Sequence, residues 1–197
     1  MATRRLGLES SASRTALMDA VEAVMREDGY AALSARSVAE RAGLKHQLVY
    51  YYFQTMDDLL MATYRRHTDR VLESIEEAFR SPHPLRAFWH VSANPADATL
   101  NMEFTAMANH NEAIRAYTVE FGERIRLLGV DRVREQIGRR APEQGIFVPE
   151  AVTMAISAIG HSMGLQARLG LSAGHAELRR LVEWCIGRLE PNEGPAP

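Results

Sequence analysis

With 197 residues, 46% of them hydrophobic and 24% charged, the chain can bury a core as one domain or as two small ones sharing a helix. A formal net charge of −2 argues against indiscriminate binding of polyanions, and the single cysteine, Cys185, excludes an internal disulfide framework or a multi-cysteine zinc site. No apolar run approaches the ~18 residues of a membrane span, and MATRRLGLESSAS at the start lacks the apolar segment of a secretory leader, so a cytoplasmic protein with no membrane association is expected.

Residues 1–10 read as a flexible basic arm, either a solvated tail or one whose Arg4 and Arg5 reach phosphates or a minor groove. The first helix is expected to start after Ser11 or Ser13, either able to cap free amides. Leu17, Val21 and Val24 form its buried stripe, and Asp28-Gly29 ends it. The stretch LSARSVAERAGLKHQLVYYYFQTMDDLL, residues 33–60, then predicts two short helices meeting at a tight turn, followed at once by a long one. Val38, Ala39 and Ala42 give the first short helix its apolar face, and Gly43 stands where it must end. The next helix is expected from near Lys45 through Phe53. At 100° per residue, Val49 and Phe53 share an inward arc, with Leu48 and Tyr52 at its margin. Gln47, Tyr50 and Tyr51 then fall on the opposite side, with His46 beside them. A short helix displaying amide, phenol and imidazole groups outward suits contact with a polar partner, and a helix-turn-helix with its second helix in a major groove meets that description.

The long fourth helix is expected after the cap Thr55, with Asp57 and Asp58 toward its positive end and a stripe of Leu60, Tyr64, Val71, Ile75 and Phe79 running to about Arg80. Ser81-Pro82-His83-Pro84 stops it. A short helix over 85–91 is broken at Asn94-Pro95, and helical pattern covers 96–140 with interruptions near Asn109-His110-Asn111 and at Gly129. A loop over 141–149 precedes helices at 150–169 and 173–189, and the proline-rich tail from Pro191 reads as disordered. No convincing period-2 strand appears, so the fold class is all-α.

Residues 33–60 closely resemble the amino-terminal signature of the TetR family of transcriptional regulators. The shared features are Ala42-Gly43, the aromatic run Tyr50-Tyr51-Tyr52-Phe53 and the acidic helix start Asp57-Asp58. With the first helix included, the resemblance covers roughly residues 10–65, about a third of the chain. It implies a helix-turn-helix DNA-binding domain over 11–56 and a helical ligand-binding and dimerisation domain over 57–190. It further implies a homodimer through the last two helices (about 150–189), a near-palindromic operator, and a small-molecule effector that releases a repressor from DNA. Carried over by position, Arg36 meets a phosphate or base edge, and Lys45 takes the usual serine or threonine place. His46, Gln47, Tyr50 and Tyr51 face the groove, and Thr55 contacts phosphate. Two departures stand out: Met56 replaces a common phosphate-binding lysine, and Gln47 is larger than the usual residue.

From residue 1 to 66, nine Lys/Arg face eight Asp/Glu, so even this head is nearly neutral. A sequence-specific reader needs only a few placed cations. The aromatic and thioether-rich middle suggests a mostly apolar ligand site formed by Phe88, Trp89, Met102, Met107, Phe121 and Met154, with a polar group received by His110, His161 or Asn109. No cofactor is expected, and the seven histidines show no metal-ligand spacing. Gly160-His161-Ser162-Met163-Gly164 fits the G-x-S-x-G pattern of a serine hydrolase, but its helical flanks deny the strand-to-helix turn that chemistry needs. The glycines instead, with Ala151, Ala155 and Ser162, suggest a small-residue face for close helix approach. An enzyme is therefore not expected. The rival reading is a small-molecule-binding helical adaptor whose head no longer recognises DNA.

Overall fold

A computed structural model describes residues 2–137 and 147–190, with side chains from residue 12 onward. The contacts considered for Arg4 and Arg5, most of the loop at 141–149 and the tail from Pro191 lie outside the described residues. Among those described, every regular element is helical, in keeping with the all-α expectation. The chain divides into two compact units, residues 1–70 with 100–116, and residues 71–99 with 117–197.

The first unit holds α1 (Ala2–Asp28), α2 (Ala35–Arg41) and α3 (Gln47–Phe53), with the first part of α4 (Met56–Arg80), the later part of α6 (Pro95–Ala108) and the opening of α7 (Glu112–Ile137). Helix α1 begins well before the expected caps at Ser11 and Ser13. Residues read as an arm form its opening turns, because only Gly7 among them disfavours a helix. Leu17, Val21 and Val24 are buried as expected, joined by Met18, Ala20 and Met25. Each leucine, valine or methionine among them contributes about 1.5–3 kcal/mol to stability on leaving water.

Helix α2 is defined at both ends by specific bonds. The Ser34 side chain accepts from the Ser37 amide at 3.0 Å, and the Ser34 amide donates to the Ser37 hydroxyl at 2.9 Å, a reciprocal cap. At its other end Gly43, at φ 66°, lets the Leu44 amide reach back to the Ala39 carbonyl (2.9 Å) while its own amide bonds Glu40 (3.1 Å). This Schellman closure requires the left-handed residue that glycine provides, as the sequence suggested.

The second unit contains α5 (Pro84–Ser92), α8 (Pro149–Arg168) and α9 (His175–Leu189), together with the remaining parts of α4, α6 and α7. Leu85, Phe88, Trp89, Val133, Ile156, Met163 and Ile186 are among the residues of its core. The buried Glu190 carboxylate caps the start of α5, accepting from the Leu85 amide at 3.0 Å and the Arg86 amide at 3.2 Å.

Gly129 does not interrupt α7. A Cβ there would lie 2.7 Å from the Thr153 methyl, so the glycine admits α8 instead of breaking its own helix. Gly160 and Gly164 also differ from expectation. They do not share a face with Ala151, Ala155 and Ser162, because the nine residues from 151 to 160 turn the helix by half a revolution beyond two full turns. A Cβ on Gly160 would stand 2.7 Å from Ser92 Cβ and 2.8 Å from the Ser92 carbonyl carbon. The close approach is therefore to the chain's own α5, while Ala151, Ala155 and Ser162 remain exposed.

Candidate nucleic-acid interface

Helix α3 is divided as its periodicity requires. Val49 is fully buried and Phe53 nearly so, while Tyr50 and Tyr51 are 53% and 75% exposed. His46 and Gln47 are exposed beside them, and Leu48 and Tyr52 are half-buried. The helix starts at Gln47, two residues later than expected, with His46 at its cap and Lys45 in the preceding turn. Tyr51 stands edge-on to Tyr52, ring centres 4.9 Å apart and planes at 81°, which restrains one of the two outward phenols. Amide, imidazole and phenol groups thus project from a short helix whose other side is locked into the core.

The turn after α3 is tight. Gln54 adopts φ 57° and ψ −50°, and the Thr55 amide bonds the Phe53 carbonyl at 2.5 Å, a γ-turn in the disfavoured left-handed half of backbone space. Capping offsets this strain. Thr55 Oγ1 donates to Asp58 Oδ2 at 2.6 Å and accepts from the Asp58 amide at 3.0 Å, starting α4 at once. Thr55 is exposed, yet its hydroxyl is already engaged in this cap. A phosphate contact there must share or displace Asp58.

The cations of the head are sorted by partner. Arg41 makes a two-pronged bond to Glu27 (2.8 and 2.6 Å), which lowers the Glu27 pKa and raises that of Arg41. Glu22, 4% exposed, accepts from Arg70 at 2.6 Å, Arg66 at 2.8 Å and Arg26 at 3.1 Å. Burial alone would push the Glu22 carboxyl up, but bonds and charge from Arg66 and Arg70 reverse this and hold it below its ordinary value. Arg36 and Lys45 are exposed and have no carboxylate partner among the described residues, and the same holds for Arg14. The Arg14 guanidinium lies over the Phe53 ring, 4.9 Å from its centre. No residue spacing in the sequence discloses this contact between α1 and the end of α3.

The residues expected to line a ligand site are spread over both units. Met102, Met107 and His110 belong to the first, where Met107 is buried and the other two exposed. Phe88, Trp89, Phe121, Met154 and His161 belong to the second. Phe88 and Trp89 are closed into its core, Phe121 is half-buried, and Met154 is 44% exposed. His161 keeps an exposed edge, but packing around its ring lowers its pKa, with Asp97 opposing. Asn109 is exposed. Trp89 Nε1 and Thr153 Oγ1 are buried without a hydrogen-bond partner in this unit. Ser162, the would-be nucleophile, lies mid-helix in α8 and accepts from Gln166 Nε2 at 3.0 Å. On α9, Leu181 and Trp184 are 56% and 58% exposed, one helical step apart.

Comparison with known proteins matches this geometry. Residues 17–63 fit the family model described as bacterial regulatory proteins, tetR family. A relative named HTH-type transcriptional regulator BetI, from Rhizobium meliloti, is 25% identical over 180 residues, covering 82% of this chain and 88% of that one. A TetR transcription regulator from Haloarcula marismortui shares the fold at a TM-score of 0.72 and 22% identity, covering 88% of this chain and 96% of its own. A transcriptional regulator from Pseudomonas aeruginosa PAO1 does so at 0.70 and 19%, with 90% of each chain covered. No described helix is long and apolar enough to cross a membrane.

Proposed function

Because the chain belongs to the TetR family of transcriptional regulators, we propose that it acts in the cytoplasm as a homodimeric repressor of a near-palindromic operator. Two copies of α3 enter successive major grooves. The observation that carries this reading is the division of α3, with Val49 and Phe53 inside and Gln47, Tyr50 and Tyr51 outside. Gln47 pairs with an adenine edge, the tyrosines meet thymine methyls or phosphates, and His46 flanks them. Arg36 and Lys45 hold phosphates, Arg36 being also able to reach guanine, and Thr55 adds a contact at the next helix start.

Dimerisation is assigned to α8 and α9. Exposed Leu181 and Trp184 on α9, with the small residues Ala151, Ala155 and Ser162 exposed on α8, support a helix-pairing face there. Replacing Leu181 and Trp184 together by glutamate is expected to raise the dimer dissociation constant at least roughly a hundredfold, since each change occurs twice in a two-fold interface. Operator binding falls with it, while the helical circular dichroism stays. A double variant that sediments as a dimer contradicts the assignment.

The effector is a mostly apolar small molecule received in the second unit by aromatic and thioether side chains such as Phe121 and Met154, with His161 as a polar contact. Trp89 Nε1 and Thr153 Oγ1 are further candidate polar contacts. It releases DNA by favouring one of two dimer geometries. The second reading, an adaptor without operator recognition, is favoured by the paired arginines of the head and by Met56. Only the repressor selects a short inverted repeat from competing duplexes.

A further inference from the structure

From Lys45 to Arg65 the chain carries no lysine or arginine between them, although this stretch contains all of α3 and the start of α4. The only formal charges within it are those of Asp57 and Asp58. The end of α3 would therefore approach a polyanion with no cation of its own and two carboxylates close by. Among the described residues, one cation is held against that end from elsewhere in the chain. Arg14 on α1 sits one helical turn before buried Leu17 and Met18, and its guanidinium is stacked on Phe53, the last residue of α3. It is exposed and has no carboxylate partner among the described residues, whereas Arg26, Arg41, Arg66 and Arg70 all do.

We propose that Arg14 is the phosphate anchor for the α3–α4 end of the reading head. Stacking on Phe53 fixes the guanidinium, so less side-chain freedom is lost when it binds, and the planar fork leaves its N–H groups available to phosphate oxygens. Lys45 and Arg36 then hold the other end, and the recognition helix is clamped at both. This inference rests on the reading that the head binds operator DNA.

The test is the salt dependence of binding to a selected operator duplex, for wild type and Arg14→Ala. Loss of one phosphate contact reduces the magnitude of the slope of log K against log salt by about 0.9, and weakens specific and non-specific duplexes alike, on the order of tenfold. Arg14→Lys keeps most of the slope. Met56→Lys placed in Arg14→Ala restores it, because position 56 is three residues beyond Phe53. An unchanged slope in Arg14→Ala, with circular dichroism and dimer mass as in wild type, reduces Arg14 to a packing contact and overturns the proposal. Failure of Met56→Lys to restore the slope also overturns it. If wild type itself selects no operator, the repressor reading fails instead, which is a separate result.

Discussion

Tyr50→Ala is expected to lose operator binding by roughly 10- to 100-fold, the range for removing a groove contact, with fold and dimer unchanged. Tyr50 is 53% exposed, so its truncation leaves no cavity, and the core beneath α3 rests on Val49 and Phe53. Non-specific binding to random duplex should persist, because that depends on the phosphate-facing cations Arg14, Arg36 and Lys45. This separates Tyr50→Ala from Arg14→Ala, which weakens every duplex alike. Gel shifts on operator and scrambled duplex measure both quantities. A Tyr50→Ala protein that binds operator as wild type does would remove α3 as the reading element.

The second large effect falls on stability. Glu22→Ala should destabilise the first unit by about 2–3 kcal/mol. Breaking a buried ion pair typically costs about 3–5 kcal/mol, and the figure is reduced here because Arg70 and Arg26 are partly solvated. Without Glu22, Arg66 keeps Asp19 at 2.8 Å as its carboxylate, and its buried Nε already lacks a partner. The pH dependence follows from the lowered pKa of Glu22. A carboxyl depressed on folding stabilises fully above its unfolded value, near 4.5, and that stabilisation is lost as pH falls from there through the folded value. Urea denaturation at neutral pH and near pH 4 should show the gap between wild type and Glu22→Gln narrowing in acid. A constant gap, or a neutral-pH loss below about 0.5 kcal/mol for Glu22→Ala, contradicts this role.

What was legible in the sequence was whatever follows from one helix at a time. Val49 and Phe53 against Tyr50 and Tyr51, the turn at Gly43, the cap at Thr55 and the break at Asn109-His110-Asn111 are local statements, and the structure agrees with each. The departures involve contacts between elements. Gly129 reads as an interruption until Thr153 is seen to occupy the place of its side chain. Gly160 and Gly164 read as one face with Ala151 and Ala155 only if helical phase is ignored, and Gly160 is filled by Ser92.

Buried polar residues were the other loss. Thr63, His67 and Thr68 lie inside α4 among the residues that an apolar stripe omits. Each finds a partner: Thr63 bonds the Leu59 carbonyl, Thr68 that of Arg65, and His67 meets Asn101 at 2.9 Å. Glu22 was hidden for the same reason, since a glutamate in a helix gives no sign that three arginines converge on it. Methionine proved a poor guide to enclosure: Met102 and Met154 are exposed while Met107 and Met163 are buried. Composition could not tell these apart, because thioethers serve both packed cores and open apolar surfaces.

The most direct measurement of the central claim is selection of bound sequences from a pool of random duplex DNA, followed by footprinting of the winner. A reading helix carried twice by a two-fold dimer predicts an inverted repeat with half-site centres about 10 base pairs, or a multiple of that, apart. Protection should fall on both halves. Enrichment of no sequence, or of a single half-site bound by one copy, would contradict the account.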